Sequence, residues 1–113
     1  MNATDVDSLV ARELASIVDE SRLHALGTIL VPPERERRVW NYAPGVQHEC
    51  WRVACVGAWE IVYCSRGFGP DYPWGFISAR SDDLGSDDHW HASLEHAAIA
   101  AGVLPAPPGY EVP

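Results

Sequence analysis

The segment DDHWHASLEH, residues 87–96, holds the side chains of this chain best suited to metal or acid–base chemistry. His91 and Glu95 are four residues apart, so on a helix they would share a face and could hold one metal ion. His96 would lie about 140° from His91 around that helix, because successive residues are ~100° apart. The histidines therefore do not converge, and neither the H-E-x-x-H pattern nor an EF-hand loop is present. We expect no metal and no other cofactor. A small hydrolase or metal-dependent enzyme that uses His91 and Glu95 is the alternative function.

Three cysteines, Cys50, Cys55 and Cys64, are the next candidates for chemistry. Their number is odd and no C-x-x-C pair occurs, so we expect free thiols that pack as small apolar side chains. Neither Ser65 nor the cysteines lie in a nucleophile-elbow motif. No catalytic residue is predicted, and a function other than catalysis is favoured.

The stretch GFGPDYPWGF, residues 67–76, is the densest aromatic segment. A phosphate cradle needs a glycine loop that opens a helix, whereas this loop is expected to join two strands, and its prolines remove two N–H donors. Tyrosine and tryptophan are frequent binding hot spots, so an exposed recognition loop is one interpretation, with Phe68, Tyr72 and Trp74 as contact residues. The alternatives are a long connection whose aromatic side chains pack onto the core, and a substrate-binding lid.

The negative charge is concentrated in the C-terminal part of the chain. The formal net charge is −8, and residues 67–113 hold seven acidic residues against one arginine. Such a surface repels nucleic acid and attracts a basic protein, although the charge is also explained by solubility alone. The predicted partner-binding residues are Phe68, Asp71, Tyr72, Trp74, Asp82, Asp83, Asp87 and Asp88.

Hydrophobic spacing predicts the elements that would position these residues. Residues 4–27 have one apolar stripe at helical spacing, with Thr4 as cap, and residues 89–102 predict a second helix capped within 86–88. Residues 50–64 predict an antiparallel hairpin with a three-residue loop at 56–58. In that register Cys55 faces Trp59, Val53 faces Ile61 and Trp51 faces Tyr63, all on one apolar face.

The predicted fold is therefore α+β: an antiparallel sheet of three to four strands, with an N-terminal and a C-terminal helix packed on one face. One domain is expected over residues 1–113, with a proline-rich tail at 104–113. No membrane-spanning run or secretion signal is recognised, so a cytoplasmic protein is expected. The charged strand at 35–42 resembles an edge strand that could pair with a second copy in a homodimer.

Small acidic α+β domains without catalytic motifs resemble proteins that bind and block another protein, such as bacterial immunity proteins, antitoxins and phage-encoded inhibitors. The resemblance is one of type, and a fold does not determine a function. It implies a protein partner with a basic surface, for example a toxin or a nucleic-acid-binding effector, and no direct contact with nucleic acid or membrane.

Overall fold

The computed structural model describes residues 1–110 and shows an α+β fold with one antiparallel sheet. The sheet has five strands in the order β1-β2-β3-β4-β5, and there are three α-helices. In chain order the elements are α1 (Ala3–Ala15), α2 (Glu20–Gly27), β1 (Leu30–Val39), β2 (Gln47–Val56), β3 (Trp59–Tyr63), β4 (Trp74–Ser78), a 3₁₀ turn (Asp87–His89), β5 (Trp90–His91) and α3 (Leu94–Ala100). The α+β class and the antiparallel sheet are confirmed, with one more strand and one more helix than expected.

The N-terminal segment is two helices, so the prediction of one helix over residues 4–27 is wrong. Asn2, rather than Thr4, caps α1 in a reciprocal capping box with Asp5. The side chain of Asp19 accepts backbone N–H groups at the start of α2 and so begins a new helix. Val18, which the predicted stripe included, lies in the break and is 97% exposed.

The β2–β3 hairpin agrees with the predicted pairing at one end only. Trp51 pairs with Tyr63, as predicted. Near the turn the pairing differs by one residue, because the loop is Gly57-Ala58 and Cys55 lies opposite Glu60. An extra residue, Val53, forms a β-bulge that reconciles the two registers.

The two faces of the sheet are covered by different kinds of structure. The three helices bury their apolar side chains against one face, together with Trp51, Ile61 and Trp74. A second, smaller core on the opposite face contains Val62, Leu84 and Trp90, and among the described residues it includes none from the three α-helices. The helices lie on one face, as expected, and loops cover the other.

Two further features concern the ends of the molecule. β1 is an edge strand, and Pro32 and Pro33 lie at an irregularity in its pairing with β2. Leu104 of the proline-rich tail is buried, and Arg22 donates to the carbonyl of Pro105, while residues 111–113 of that tail lie outside the described residues.

Within residues 1–110, no helix combines the length and apolarity needed to cross a membrane.

Candidate partner-binding site

Two loops on the face opposite the helices carry most of the predicted partner-binding residues. The aromatic loop, residues 64–73, joins β3 to β4, and the acidic loop, residues 79–89, joins β4 to β5. The aromatic loop therefore leads from strand to strand and opens no helix, as the sequence indicated.

Phe68 fixes the aromatic loop to the second core. Its ring lies 5.0 Å from that of Trp40 and 6.0 Å from that of Trp90, measured between centroids. Gly69 allows this path, since a Cβ there would lie 2.5 Å from the carbonyl oxygen of Ser65. Part of the aromatic segment thus packs inward, in the way the alternative interpretation describes.

Arg38 holds the acidic loop in place. It is 2% exposed, and its Nη1 donates to the carbonyls of Ser81 and Asp83 at 2.9 and 2.8 Å. Its Nη2 donates to the carbonyl of Ser78 at 3.2 Å. Five donors in a fixed planar fork allow one guanidinium to bind several carbonyls of a turn.

Two glutamates balance the buried charge of Arg38. Its Nε lies 2.7 Å from Glu36 and its Nη2 lies 2.5 Å from Glu60, which is 3% exposed. Burial lowers the pKa of Arg38, but the two carboxylates outweigh it and hold this pKa above its usual value. Burial, with the charge of Glu36, raises the pKa of Glu60 against the opposing effect of Arg38.

Trp90 forms the floor beneath both loops. Its indole N–H donates to the carbonyl of Leu84 at 2.7 Å, and the side chain is 4% exposed. The ring lies directly over Gly75 on the neighbouring strand, where a Cβ would be 2.8 Å from the ring. A glycine at position 75 is therefore needed for this close approach of the indole to the sheet.

A cavity of about 290 Å³ opens between the two loops. Its lining residues are Phe68, Tyr72, Asp87, Asp88 and Trp90. Four of these belong to the predicted set, although they come from segments that are fifteen or more residues apart in the chain. Sequence reasoning missed Trp90, because residues 89–102 were predicted to form a helix, whereas Trp90 lies in β5.

The remaining predicted residues do not line this cavity. Asp71 and Asp82 are exposed and lie close in sequence to residues that line the cavity. Asp83 is half-buried and accepts the N–H of Gly85 at 3.0 Å, which shapes the turn. The exposed position expected for Trp74 is wrong: it is 3% exposed and packs 5.0 Å from Tyr63 on the helix-covered face. Trp74 begins β4, and strand alternation turns its side chain away from the loops.

The aspartates of the two loops form no ion pair with the other described residues. Within residues 1–110, every ion pair joins an arginine to a glutamate, and none involves an aspartate. Asp88 accepts the hydroxyl of Ser86, and this hydrogen bond lowers its pKa, which favours the charged carboxylate. The cavity therefore has aromatic walls and an anionic rim.

A larger cavity of about 530 Å³ lies at the end of the β2–β3 hairpin and does not share this character. Its one lining carboxylate, Glu49, lies 3.5 Å from Arg35, and the guanidinium of Arg66 lines it too. It therefore lacks the net negative charge of the cavity between the loops.

The segment proposed for metal or acid–base chemistry folds differently from the prediction. α3 begins at Leu94, with Ser93 as cap, so His91 lies outside it in β5 and the helical spacing of His91 and Glu95 does not apply. Glu95 pairs with Arg22 at 3.0 Å. His91 is 4% exposed, and burial, with the nearby His96 and His89, lowers its pKa. Within the described part of the chain, no three His, Cys, Asp or Glu side chains are grouped to hold a metal ion.

The site has to be interpreted from its own geometry. No protein-family model, curated protein or solved structure matches this chain. What the geometry provides is a small concave surface with aromatic and carboxylate side chains. Such a surface suits the binding of positively charged groups.

Proposed function

We propose that this chain is a cytoplasmic protein that binds a basic surface on a partner protein and thereby blocks it. The observation that carries the proposal is the cavity between the aromatic and acidic loops, where the exposed Asp87 and Asp88, which form no ion pair within residues 1–110, lie beside aromatic side chains. Five aspartates and two arginines lie in these two loops. The surface is therefore complementary to a positively charged one.

The aspartates contribute mainly to the rate of association. Asp71, Asp82, Asp87 and Asp88 are exposed, so each retains most of its hydration and interacts with a partner at long range. At physiological salt this attraction is screened beyond about 8 Å. Binding through such a surface is expected to slow as salt is added.

The aromatic side chains contribute the apolar contact area. Tyr72 is 45% exposed, whereas Phe68 and Trp90 are held by packing with Trp40, Leu84 and the sheet. Side chains that are already ordered lose little entropy on binding. Tyr72 is the most exposed aromatic side chain of the cavity, so it takes the role of anchor that the sequence suggested for Trp74. Substitution of Trp74 would instead remove a side chain from the core.

Proteins that bind nucleic acid present clusters of lysine and arginine to phosphates. A rigid acidic surface that covers such a cluster excludes the nucleic acid by competing for the same charges. We therefore propose that the partner is a toxin with nuclease-like character or another nucleic-acid-binding effector, as the resemblance to immunity proteins and antitoxins implies.

The test is affinity capture from the lysate of the native cell at low and high salt, followed by reconstitution with the purified partner. Two charge-matched variants are compared: Asp87→Asn/Asp88→Asn in the acidic loop and Asp7→Asn/Glu20→Gln on the helix layer, where both side chains are exposed. We expect one stoichiometric basic partner that is lost at high salt and with the loop variant but is retained by the helix variant. Its activity should fall as the complex forms.

Tyr72→Ala is expected to weaken the reconstituted complex by about 2 kcal/mol, the usual threshold for a hot spot. A complex that is insensitive to salt and equally strong with the loop variant would contradict the proposal. A partner that keeps its full activity in the complex would contradict the inhibitory part of it.

A further inference from the structure

We infer that the cavity between the two loops is a receptor for one arginine side chain of the partner. This inference rests on the proposed function and deepens it, because it names the group that the acidic surface recognises. The cavity is lined by Phe68, Tyr72 and Trp90, with Asp87 and Asp88.

The size of the cavity restricts its occupant. Sites for drug-sized ligands and cofactors enclose about 300 to 1,000 Å³. At about 290 Å³ this cavity lies at the lower limit, which suits a single long side chain. A helix or strand of the partner would instead need an extended groove.

The chemistry of the lining favours a cation that is planar and rich in donors. Aromatic faces attract any cation, but arginine also stacks on them through its flat guanidinium. Two carboxylates offer more acceptor positions than one ammonium group can fill in a fixed geometry, whereas a guanidinium can bind a carboxylate through two parallel hydrogen bonds. A quaternary ammonium has no donor at all and would form no hydrogen bond with either carboxylate.

Hydrogen bonds hold two of the lining side chains, those of Trp90 and Asp88, in place. Because the indole N–H of Trp90 donates to Leu84, Trp90 offers ring atoms and not a competing donor to the cavity. The hydroxyl of Ser86 binds one oxygen of Asp88, which holds this carboxylate and leaves its other oxygen for a ligand. The backbone of Asp87 and Asp88 belongs to a 3₁₀ turn, closed by the bond from the N–H of His89 to the carbonyl of Ser86.

The experiment uses two probes, the blocked tripeptides acetyl-Gly-Arg-Gly-amide and acetyl-Gly-Lys-Gly-amide, titrated into the full-length ¹⁵N-labelled protein. The readout is the indole N–H signal of Trp90, and the indole signal of Trp74 on the other face serves as the internal reference. We expect the arginine probe to shift the Trp90 signal with a dissociation constant on the order of 1 mM. The lysine probe should bind about tenfold more weakly, the factor that one charge-assisted hydrogen bond contributes.

Matched variants separate the cavity from general electrostatics. Asp87→Asn/Asp88→Asn should abolish the shift, and Tyr72→Leu should weaken it severalfold. Asp7→Asn, which removes one exposed charge on the helix layer, should leave it nearly unchanged. Equal binding of the two probes, no shift with the arginine probe up to about 10 mM, or an unchanged shift in the Asp87/Asp88 variant would overturn the inference.

The two proposals fail in different ways. If the probes do not distinguish arginine from lysine but the salt-sensitive complex still depends on Asp87 and Asp88, the arginine receptor is refuted and the acidic binding surface stands. If the arginine probe binds as expected but no partner is inhibited, the cavity stands and the inhibitory function falls.

Discussion

Arg38 shows how one side chain determines the position of the site. Its guanidinium is almost completely buried, pairs with Glu36 and Glu60, and binds three carbonyls at the end of β4 and in the acidic loop. Buried charges are tolerated when they are paired and hydrogen-bonded. The acidic loop therefore depends on a residue that lies more than forty positions earlier in the chain.

We expect Arg38→Ala to lower the free energy of unfolding by about 3–5 kcal/mol, because it leaves Glu60 buried without its partner. The double variant Arg38→Met/Glu60→Leu should lose less than Arg38→Ala alone, since it removes the buried negative charge together with the positive one. Urea unfolding followed by tryptophan fluorescence measures both. A double variant less stable than Arg38→Ala would contradict the view that the unpaired carboxylate of Glu60 causes most of the loss.

His91 is expected to make the stability of the protein depend on pH. Burial lowers its pKa below the ordinary value of 6.5, so the folded protein stays neutral at this position where the unfolded chain already binds a proton. Stability therefore falls as the pH drops below about 6.5 toward the folded pKa. His91→Gln should flatten the dependence of unfolding free energy on pH between neutrality and mildly acidic conditions, and His24→Gln, at an exposed position on α2, should retain the wild-type slope. Identical slopes for wild type and His91→Gln would contradict the assignment.

At the scale of the elements, the β2–β3 hairpin decides which side chains face each layer. Beyond the bulge at Val53 the faces alternate as predicted, so Trp51 lies in the helix-covered core and Cys50 in the opposite one. Between the bulge and the turn, the residues of β2 face the sides opposite to those predicted, so Ala54 lies in the helix-covered core. Cys55, which the uninterrupted register places on the helix-covered face, is exposed instead.

The reactivity of the three thiols tests this register. We expect one thiol, that of Cys55, to react rapidly with a disulfide reagent in the native protein, while Cys50 and Cys64 react only as the protein opens. The contact with Cys64, together with burial, raises the pKa of Cys50. The contact with Cys50 lowers the pKa of Cys64, but Cys64 is 1% exposed, so access limits its reaction.

Cys55→Ser is the matched control, and it should leave no rapidly reacting thiol. In urea all three cysteines of the wild type should react. No rapidly reacting thiol in the folded wild type, or a fast phase that persists in Cys55→Ser, would show that the bulge is absent or lies elsewhere.

The hairpin also shows where sequence reasoning stops. Alternation of apolar residues predicted the α+β class, the pairing of Trp51 with Tyr63 and the connection of two strands by the aromatic loop. A bulge adds one residue without any change in composition, so the pattern did not indicate it. The break after α1 was similarly concealed, because Ile17 is buried and continues the apolar stripe across it.

For the candidate site, the sequence indicated residue types but not their neighbours. The acidic and aromatic character of Phe68, Tyr72, Asp87 and Asp88 was evident from composition and charge. That they surround one cavity depends on Trp90, whose position follows from the pairing of β5 with β4. Long-range contacts of this kind leave no periodic signal in a single sequence.

At the scale of the whole molecule, the two faces of the sheet have different roles, one in stability and the other in presenting the site. The helix layer contributes the larger core, and the loop layer presents the site above a smaller core of its own. The site therefore lies on a sheet that is packed on both faces, and this packing holds Phe68 and Trp90 in place without a ligand. Such preorganisation reduces the entropic cost of binding.

The open edge at β1 is the place where a second copy could add to the sheet. The backbone of Val39 is already occupied, since its N–H donates to Asp82 at 2.7 Å and its carbonyl accepts from Leu84 at 3.1 Å. Backbone N–H and C=O groups that point away from β2 recur at every second residue of β1. Counting back from Val39, they belong to Arg37 and Arg35, and the next position, Pro33, has no N–H. The free edge is thus short and charged, two features that discourage pairing between edges.

We therefore expect the protein to be a monomer, and the homodimer suggested by the charged strand not to form. Light scattering should give a mass near 12.4 kDa that does not change with protein concentration or with added salt. The variant Arg35→Thr/Arg37→Val removes the charges from the free edge. It should dimerise more readily than the wild type, because uncharged β-branched residues favour strand pairing. If the wild type dimerises and Arg37→Pro abolishes the dimer, β1 is the interface, and the short free edge suffices for pairing after all.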